Sequence, residues 1–130
     1  MFALDTNVII HFLKGKGRVV ENLLAQSPKD VFIPSIVYYE LLVGVEKSAN
    51  PVLKRQILDT LLSHIQFLEF GEKESLLAAK IRAKLENSGQ TIGPYDILIA
   101  ATALSHNMTL VTHNSGEFKR VDRLEITDWF

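Results

Sequence analysis

Met1-Phe2-Ala3-Leu4-Asp5-Thr6-Asn7-Val8-Ile9-Ile10-His11-Phe12-Leu13 opens the chain, and its reading decides the fold. Four apolar residues run into an acid, and a second apolar stretch starts at once. A short buried strand that carries a carboxylate to its C-terminal edge, where a helix begins, is how open α/β sheets place their ligands. Two more acids sit in similar surroundings. Glu40 lies inside the apolar helix expected after Pro34, and Asp96 stands two residues after Pro94 at the head of Ile97-Leu98-Ile99-Ala100-Ala101. Three separated carboxylates, each embedded in hydrophobic sequence, suit a divalent metal held by oxygen ligands.

Working outward from residue 5, the pattern predicts a strand at 1–5, helices near 7–13 and 17–27, and a short strand Val31-Phe32-Ile33 stopped by Pro34. Helices at 35–48 and 51–63, a strand at 66–70 and helices at 72–87 and 94–106 follow. A strand at 109–112 and a last short strand near Leu124-Glu125-Ile126 complete the order. Short strands separated by helices imply a mainly parallel sheet covered on both faces, because each parallel crossover needs a helix to return the chain. The expected class is α/β, a Rossmann-like sandwich of three layers. Punctuation agrees with this. Asn50-Pro51 separates two helices, Gly89 closes the helix before it, and Pro94 sits at a first helical position, where its missing N–H costs nothing. With no repeat, low-complexity stretch or long linker, the 130 residues are expected to form one domain, 1–130.

Composition narrows the function classes. The chain has no cysteine, which excludes disulfides, Cys-ligated zinc and thiol nucleophiles and gives no argument for an oxidising compartment. A reducing cytoplasm is the expected location. The first residues lack the basic segment and small-residue cleavage site of a signal peptide, and no apolar run approaches the roughly 18 residues of a membrane span. Net charge is −1, from 14 Lys+Arg against 15 Asp+Glu, so a nucleic-acid ligand would have to meet a local basic surface. Lys14, Arg82 and Lys84 are the candidates chosen for it from three short basic clusters.

Each acid also has a bland reading. Asp5 is a good N-cap for the helix that follows it, and Asp96 lies in the first turn of a helix, where the dipole favours an acid. Glu40 has Ile36 and Val37 a turn before it and Val43 and Gly44 a turn after, so its carboxylate needs a compensating partner or a margin that reaches water. Asn114, in Thr112-His113-Asn114-Ser115-Gly116-Glu117-Phe118, suits a plain turn, and Glu117 suits a surface. The conjunction outweighs the parts: Asp5, Thr112 and Asn114 follow apolar strands, two helices bring the other acids, and a doubly wound sheet can gather all of them at one edge. His11, His64 and His106 show no metal-ligand spacing, and only His113 falls beside the expected site.

Leu4-Asp5-Thr6-Asn7, the Glu40 helix ending Gly44-Val45-Glu46-Lys47-Ser48, Ile92-Gly93-Pro94-Tyr95-Asp96-Ile97-Leu98-Ile99-Ala100, and Leu110-Val111-Thr112-His113-Asn114 through Glu117-Phe118 together resemble a PIN-domain ribonuclease. More narrowly, they are similar to the VapC toxins of bacterial toxin–antitoxin pairs, in order and without large insertions as far as Trp129. The resemblance implies a PIN-like α/β/α sandwich and Mg²⁺- or Mn²⁺-dependent cleavage of RNA, with Asp5, Glu40 and Asp96 as acidic ligands. Asp5 and Asp96 are then the principal ligands, Glu40 a ligand or a water-positioning base, Thr112 and Asn114 hydrogen-bonding support, and Glu117 an outer acid. In relatives an acid follows the Thr strand. Here Asn114 holds that place, with Glu117 close behind, and either can fill the fourth position. Ile92-Gly93-Pro94 is similar to VapC proteins that cut the anticodon stem-loop of initiator tRNA, which makes tRNA the implied substrate. A VapB-type antitoxin and a homodimer are the implied partners, with no membrane.

Two other functions compete. A phospho-accepting receiver domain also places Mg²⁺ at strand ends, but it needs an Asp at the end of the third strand and a Lys after the last core strand. Glu69-Phe70-Gly71 and His113-Asn114 occupy those places. An inactive PIN-like interaction module is the second rival, and only Asn114 favours it.

Overall fold

A computed structural model describes residues 1–130. Its elements run β1 (Phe2–Leu4), α1 (Thr6–Lys14), α2 (Val19–Leu24), a single 3₁₀ turn at Pro28–Asp30, β2 (Val31–Pro34), α3 (Ser35–Glu46) and α4 (Pro51–Leu62). They continue with β3 (Gln66–Leu68), α5 (Glu72–Asn87), α6 (Pro94–Ser105), β4 (Thr109–Val111), α7 (Ser115–Phe118) and β5 (Ile126–Thr127). The five strands form one parallel sheet in the order β3-β2-β1-β4-β5, flanked by the helices in an α/β/α sandwich. The chain builds outward from β1 through β2 to β3, then crosses back to lay β4 against the other side of β1. The order therefore reverses between β1 and β4, and that crevice is where doubly wound sheets bind ligands.

The sheet interior is buried from both sides, as a parallel sheet requires. Ala3, Leu4, Ile33 and Leu110 have no exposed surface, and 29 buried apolar residues make one continuous core. Helix α6 lies deepest of the helices. Ile97, Ile99, Ala100, Ala101 and Ala103 are all buried, and the Thr102 hydroxyl is spent inside the helix, donating to the Leu98 carbonyl at 2.8 Å. A helix buried most of the way round shows little apolar asymmetry, and α6 reads in sequence as a continuous apolar run for that reason.

The departures from expectation have local causes. The strand expected over 66–70 ends at Leu68 because its partner β2 ends: Pro34 pairs with Leu68 and then enters α3, leaving Glu69 and Phe70 nothing to bond. The helix expected from 17 begins at Val19. Gly17 has φ +61°, and a Cβ there would meet the Phe130 carbonyl oxygen at 2.6 Å, so the chain's last residue packs where a longer helix would have passed. The final strand lies at 126–127, after Arg123 at φ +66°, rather than at 124–126. Finally, a short helix at 115–118, with Asn114 at its N-cap, lies where no element was expected.

Candidate active site

Asp5 leaves the C-terminal end of β1 and Thr112 leaves that of β4, so the pairing of Leu4 with Val111 sets them side by side at the crevice. The Thr112 hydroxyl donates to Asp5 Oδ2 at 2.8 Å, and the Thr6 N–H donates to Asp5 Oδ1 at 2.8 Å. Thr112 Oγ1 in turn accepts the Asn114 N–H at 3.0 Å. Capping is thus only part of what Asp5 does: one oxygen serves the start of α1, and the other is aimed across the sheet. The side chain is 5 % exposed, and burial, opposed by these hydrogen bonds and reinforced by the charge of Glu40, raises its pKa above the usual carboxylate value.

Glu40 reaches the same edge from α3. The Thr6 hydroxyl donates to Glu40 Oε1 at 2.7 Å across 34 positions of sequence, so one residue, Thr6, orients two acids from different elements. The stretch Leu4-Asp5-Thr6-Asn7 contains Thr6, but nothing local marks it, because its partner comes from another helix. Glu40 also borders a cleft of about 360 Å³ between α1, α3 and α4, with Lys14 and Lys54 on its walls.

Asp96 occupies the third residue of α6, and Glu74 occupies the third residue of α5, which allows a direct comparison. Glu74 behaves as a helix-start acid should. It accepts the Gly71 N–H at 3.1 Å and the Ser105 hydroxyl at 3.3 Å, and backbone hydrogen bonds hold its pKa below the ordinary value. Asp96 makes no capping hydrogen bond, and its pKa is pushed up to about 7, first by burial and then by the charges of Asp5 and Glu117, with Glu40 contributing. Helix capping does not account for this acid. Gly93 leaves it room: a Cβ at that position would come within 3.3 Å of Asp96 Oδ2.

Glu117 joins the group because of α7. Phe118 is fully buried and anchors that short helix in the core, and the Asn114 side-chain amide donates to Glu117 Oε2 at 3.2 Å. Asn114 and Glu117 thus stand together at the fourth position. The amide holds the acid, and the acid lies close enough to Asp96 to hydrogen-bond with its protonated form.

Asp5, Glu40, Asp96 and Glu117 share this edge, and none of the six ion pairs in the molecule involves any of them. Their donors are hydroxyls and amides alone. No three acidic or imidazole side chains stand at ready-made ligand spacing. Asp5, Glu40 and Glu117 each accept from a hydroxyl or an amide and Asp96 accepts from none, and this all-oxygen donor set with its uncompensated charge fits a hard divalent ion.

The remaining candidates are placed as follows. His113 Nδ1 lies 2.8 Å from Asp128 Oδ2, and its ring stacks on Phe130 at 4.3 Å, which ties it to the C-terminal segment. His106 pairs with Glu74 at 3.2 Å. Lys14 is free of ion pairs and faces the Glu40 cleft together with Lys54, which local sequence did not single out. Arg82 pairs with Glu86 at 3.2 Å and Lys84 with Asp122, so both are engaged within or beside α5.

Residues 2–124 match the PIN domain family. The chain is 33% identical to the tRNA(fMet)-specific endonuclease VapC of Salmonella typhimurium over 98% of its own length and 97% of that protein's. It is 36% identical to the ribonuclease VapC2 of Rickettsia felis over 99% of its length and 98% of the relative's. Among solved structures, it superposes on a chain of the Rickettsia felis VapBC2 complex bound to a promoter DNA fragment with a TM-score of 0.91 and 35% identity, covering 99% of this chain and 98% of that one.

Proposed function

From a chain that belongs to the PIN-domain family, and within it to the VapC proteins, we propose a metal-dependent endoribonuclease that acts as the toxin of a VapBC toxin–antitoxin pair. The observation that carries this is the set of four carboxylates at the sheet's switch point with no cationic partner. Tandem likeness to a tRNA(fMet)-specific endonuclease and to ribonucleases of similar length favours RNA as substrate, with tRNA, and the initiator anticodon stem-loop in particular, as the proposed target. A VapB-type antitoxin is the proposed partner, homodimerisation the proposed assembly, and the cytoplasm the proposed location. No helix is long and apolar enough to cross a membrane.

Asp5, Asp96 and Glu40 would hold Mg²⁺ or Mn²⁺, with Glu117 outside them. When bound, the ion supplies neutralising charge for the acids and Lewis acidity toward a phosphate oxygen. The chain's own residues do the rest. Thr112 and Thr6 lock Asp5 so that it need not reorganise during reaction, and Thr6 fixes Glu40 relative to it. A water adds to phosphorus as one P–O ester bond breaks. Its proton passes to Glu40, which borders the open cleft, and the departing oxygen takes a proton from solvent. Asn114 holds Glu117 beside Asp96, and the charge of Glu117 helps to raise the Asp96 pKa, so positive charge at this edge would favour the ionised form of Asp96.

Incubation of the purified chain with labelled tRNA in Mg²⁺ or Mn²⁺, and in EDTA, tests the reading. Discrete cleavage with metal that stops in EDTA is expected. Undiminished cleavage in excess EDTA, or no cleavage of any RNA with either metal, refutes it.

A further inference from the structure

Tyr39 and Tyr95 each stand immediately before a site acid, Glu40 on α3 and Asp96 on α6, and their rings meet edge to face at 5.7 Å and 68°. They are 49% and 45% exposed. That exposure is odd for these helices. Most of α6 is buried, and the neighbouring Tyr38 shows what a structural tyrosine does here: its ring packs on Phe67 at 4.9 Å and its hydroxyl accepts from Arg55 at 3.2 Å. Tyr39 and Tyr95 have only each other. The pair bridges α3 and α6 at the mouth of the acidic edge, where the Tyr95 hydroxyl lies within reach of the Glu40 charge.

We propose that Tyr39 and Tyr95 form a stacking platform for one unpaired nucleobase of the RNA strand, the base next to the phosphate that the acids engage. This rests on the ribonuclease reading above. In an edge-to-face pair, at least one ring keeps a face open to a third planar group, and aromatic faces are where proteins stack splayed-out RNA bases. Charge makes the same point. Four carboxylates repel an RNA backbone, so beside the lysines of the Glu40 cleft this edge gains from uncharged surface whose binding does not depend on charge, and two half-exposed phenol rings provide it. A base held in a duplex cannot reach such a platform, so the pair selects loops and single strands over helical RNA.

The test uses the full chain and oligoribonucleotides carrying a single 2-aminopurine or a single abasic residue, stepped along the cleaved sequence. Y39A and Y95A should lower kcat/KM by roughly tenfold to a hundredfold, mainly through KM, while Y95F, which keeps the ring, stays near wild type. At one position, removal of the base should cost the wild type the same factor and cost the alanine variants nothing further. In EDTA, where cleavage stops, wild type should quench 2-aminopurine at that position in single strands and not in duplex, and Y39A and Y95A should not. If the protein cuts no RNA at all, the ribonuclease reading fails and the quenching arm still decides the platform. Folded alanine variants that lose nothing, or that lose the same factor on intact and abasic RNA at every position, overturn the proposal. So does a pair of variants that disperse a dimer while quenching as wild type does.

Discussion

Replacing Asp96 with asparagine removes one negative charge from an edge that holds four, while keeping the size and most of the hydrogen-bonding capacity of the side chain. In the metal-free protein Asp96 titrates at about 7 instead of 3.8, because it is partly buried and faces Asp5, Glu117 and Glu40. At 1.36 kcal/mol per tenfold change in proton affinity, ionising it in the folded state costs up to about 4 kcal/mol more than in the unfolded chain. Solvent reaches part of the carboxylate and screens the repulsion, which lowers the figure to about 1–2 kcal/mol. Loss of an acid from the first turn of α6 gives back about 0.3–1 kcal/mol. Asp96→Asn should therefore be more stable than wild type in EDTA at pH 8 by about 1 kcal/mol, or about 3–5 °C in Tm for a chain of this length. The pH dependence follows from the direction of the shift. A carboxyl with a higher pKa folded than unfolded holds its proton more tightly in the native state, so wild-type stability falls as pH rises from about 4 through about 7 and then levels off. The variant lacks the Asp96 share of that decline, and the two Tm values should approach one another at pH 5. Mg²⁺ reverses the order at pH 8, because an ion that binds only the folded state adds RT ln(1 + [Mg²⁺]/Kd), about 2.7 kcal/mol at 100 Kd, and the variant has lost a ligand. Differential scanning fluorimetry at both pH values, with EDTA and across a Mg²⁺ series, reads all of this. Identical metal responses, together with a variant less stable than wild type in EDTA at pH 8, would refute the shared-charge argument and leave Asp96 as an ordinary helix-start acid.

Asp5→Asn should abolish RNA cleavage, a loss of at least a hundredfold, with Tm within a few degrees of wild type, since Thr112 Oγ1 can accept from the new amide as readily as it donates to the acid; a variant that cleaves at wild-type rate moves the site elsewhere. Glu117→Gln should slow cleavage more than Asn114→Ala, because the amide acts only by orienting that acid; equal rates for Glu117→Gln and wild type would remove Glu117 from the site. RNA binding in EDTA should weaken steeply with salt, and Lys14→Ala and Lys54→Ala should each lower the slope of log K against log salt by about 1, while Lys84→Ala, paired with Asp122, changes it less; filter binding between 50 and 200 mM salt measures this, and a flat response refutes a phosphate contact in the Glu40 cleft.

Sequence alone settled what depends on neighbouring residues. Leu4-Asp5 reads as a strand end and Pro34 and Pro94 as helix starts because apolar runs and proline geometry act within a few positions. The presence of Asp5, Glu40 and Asp96 in apolar surroundings was legible for the same reason, and the match of residues 2–124 to the PIN domain agrees with the resemblance of those motifs. The tertiary structure decided everything that joins distant segments. The strand order β3-β2-β1-β4-β5 rests on parallel pairings between segments up to 107 residues apart, such as Leu4 with Val111, and periodicity carries no record of which strand lies beside which. Ser115-Gly116-Glu117-Phe118 carries no element in the sequence because four residues are too few to show a helical period, and the burial of Phe118 in the core anchors the helix that aims Glu117. Thr6, whose hydroxyl reaches Glu40, and Tyr39 and Tyr95, which meet across α3 and α6, have no local signature at all, since each owes its place to a partner that folding alone brings within a few ångströms.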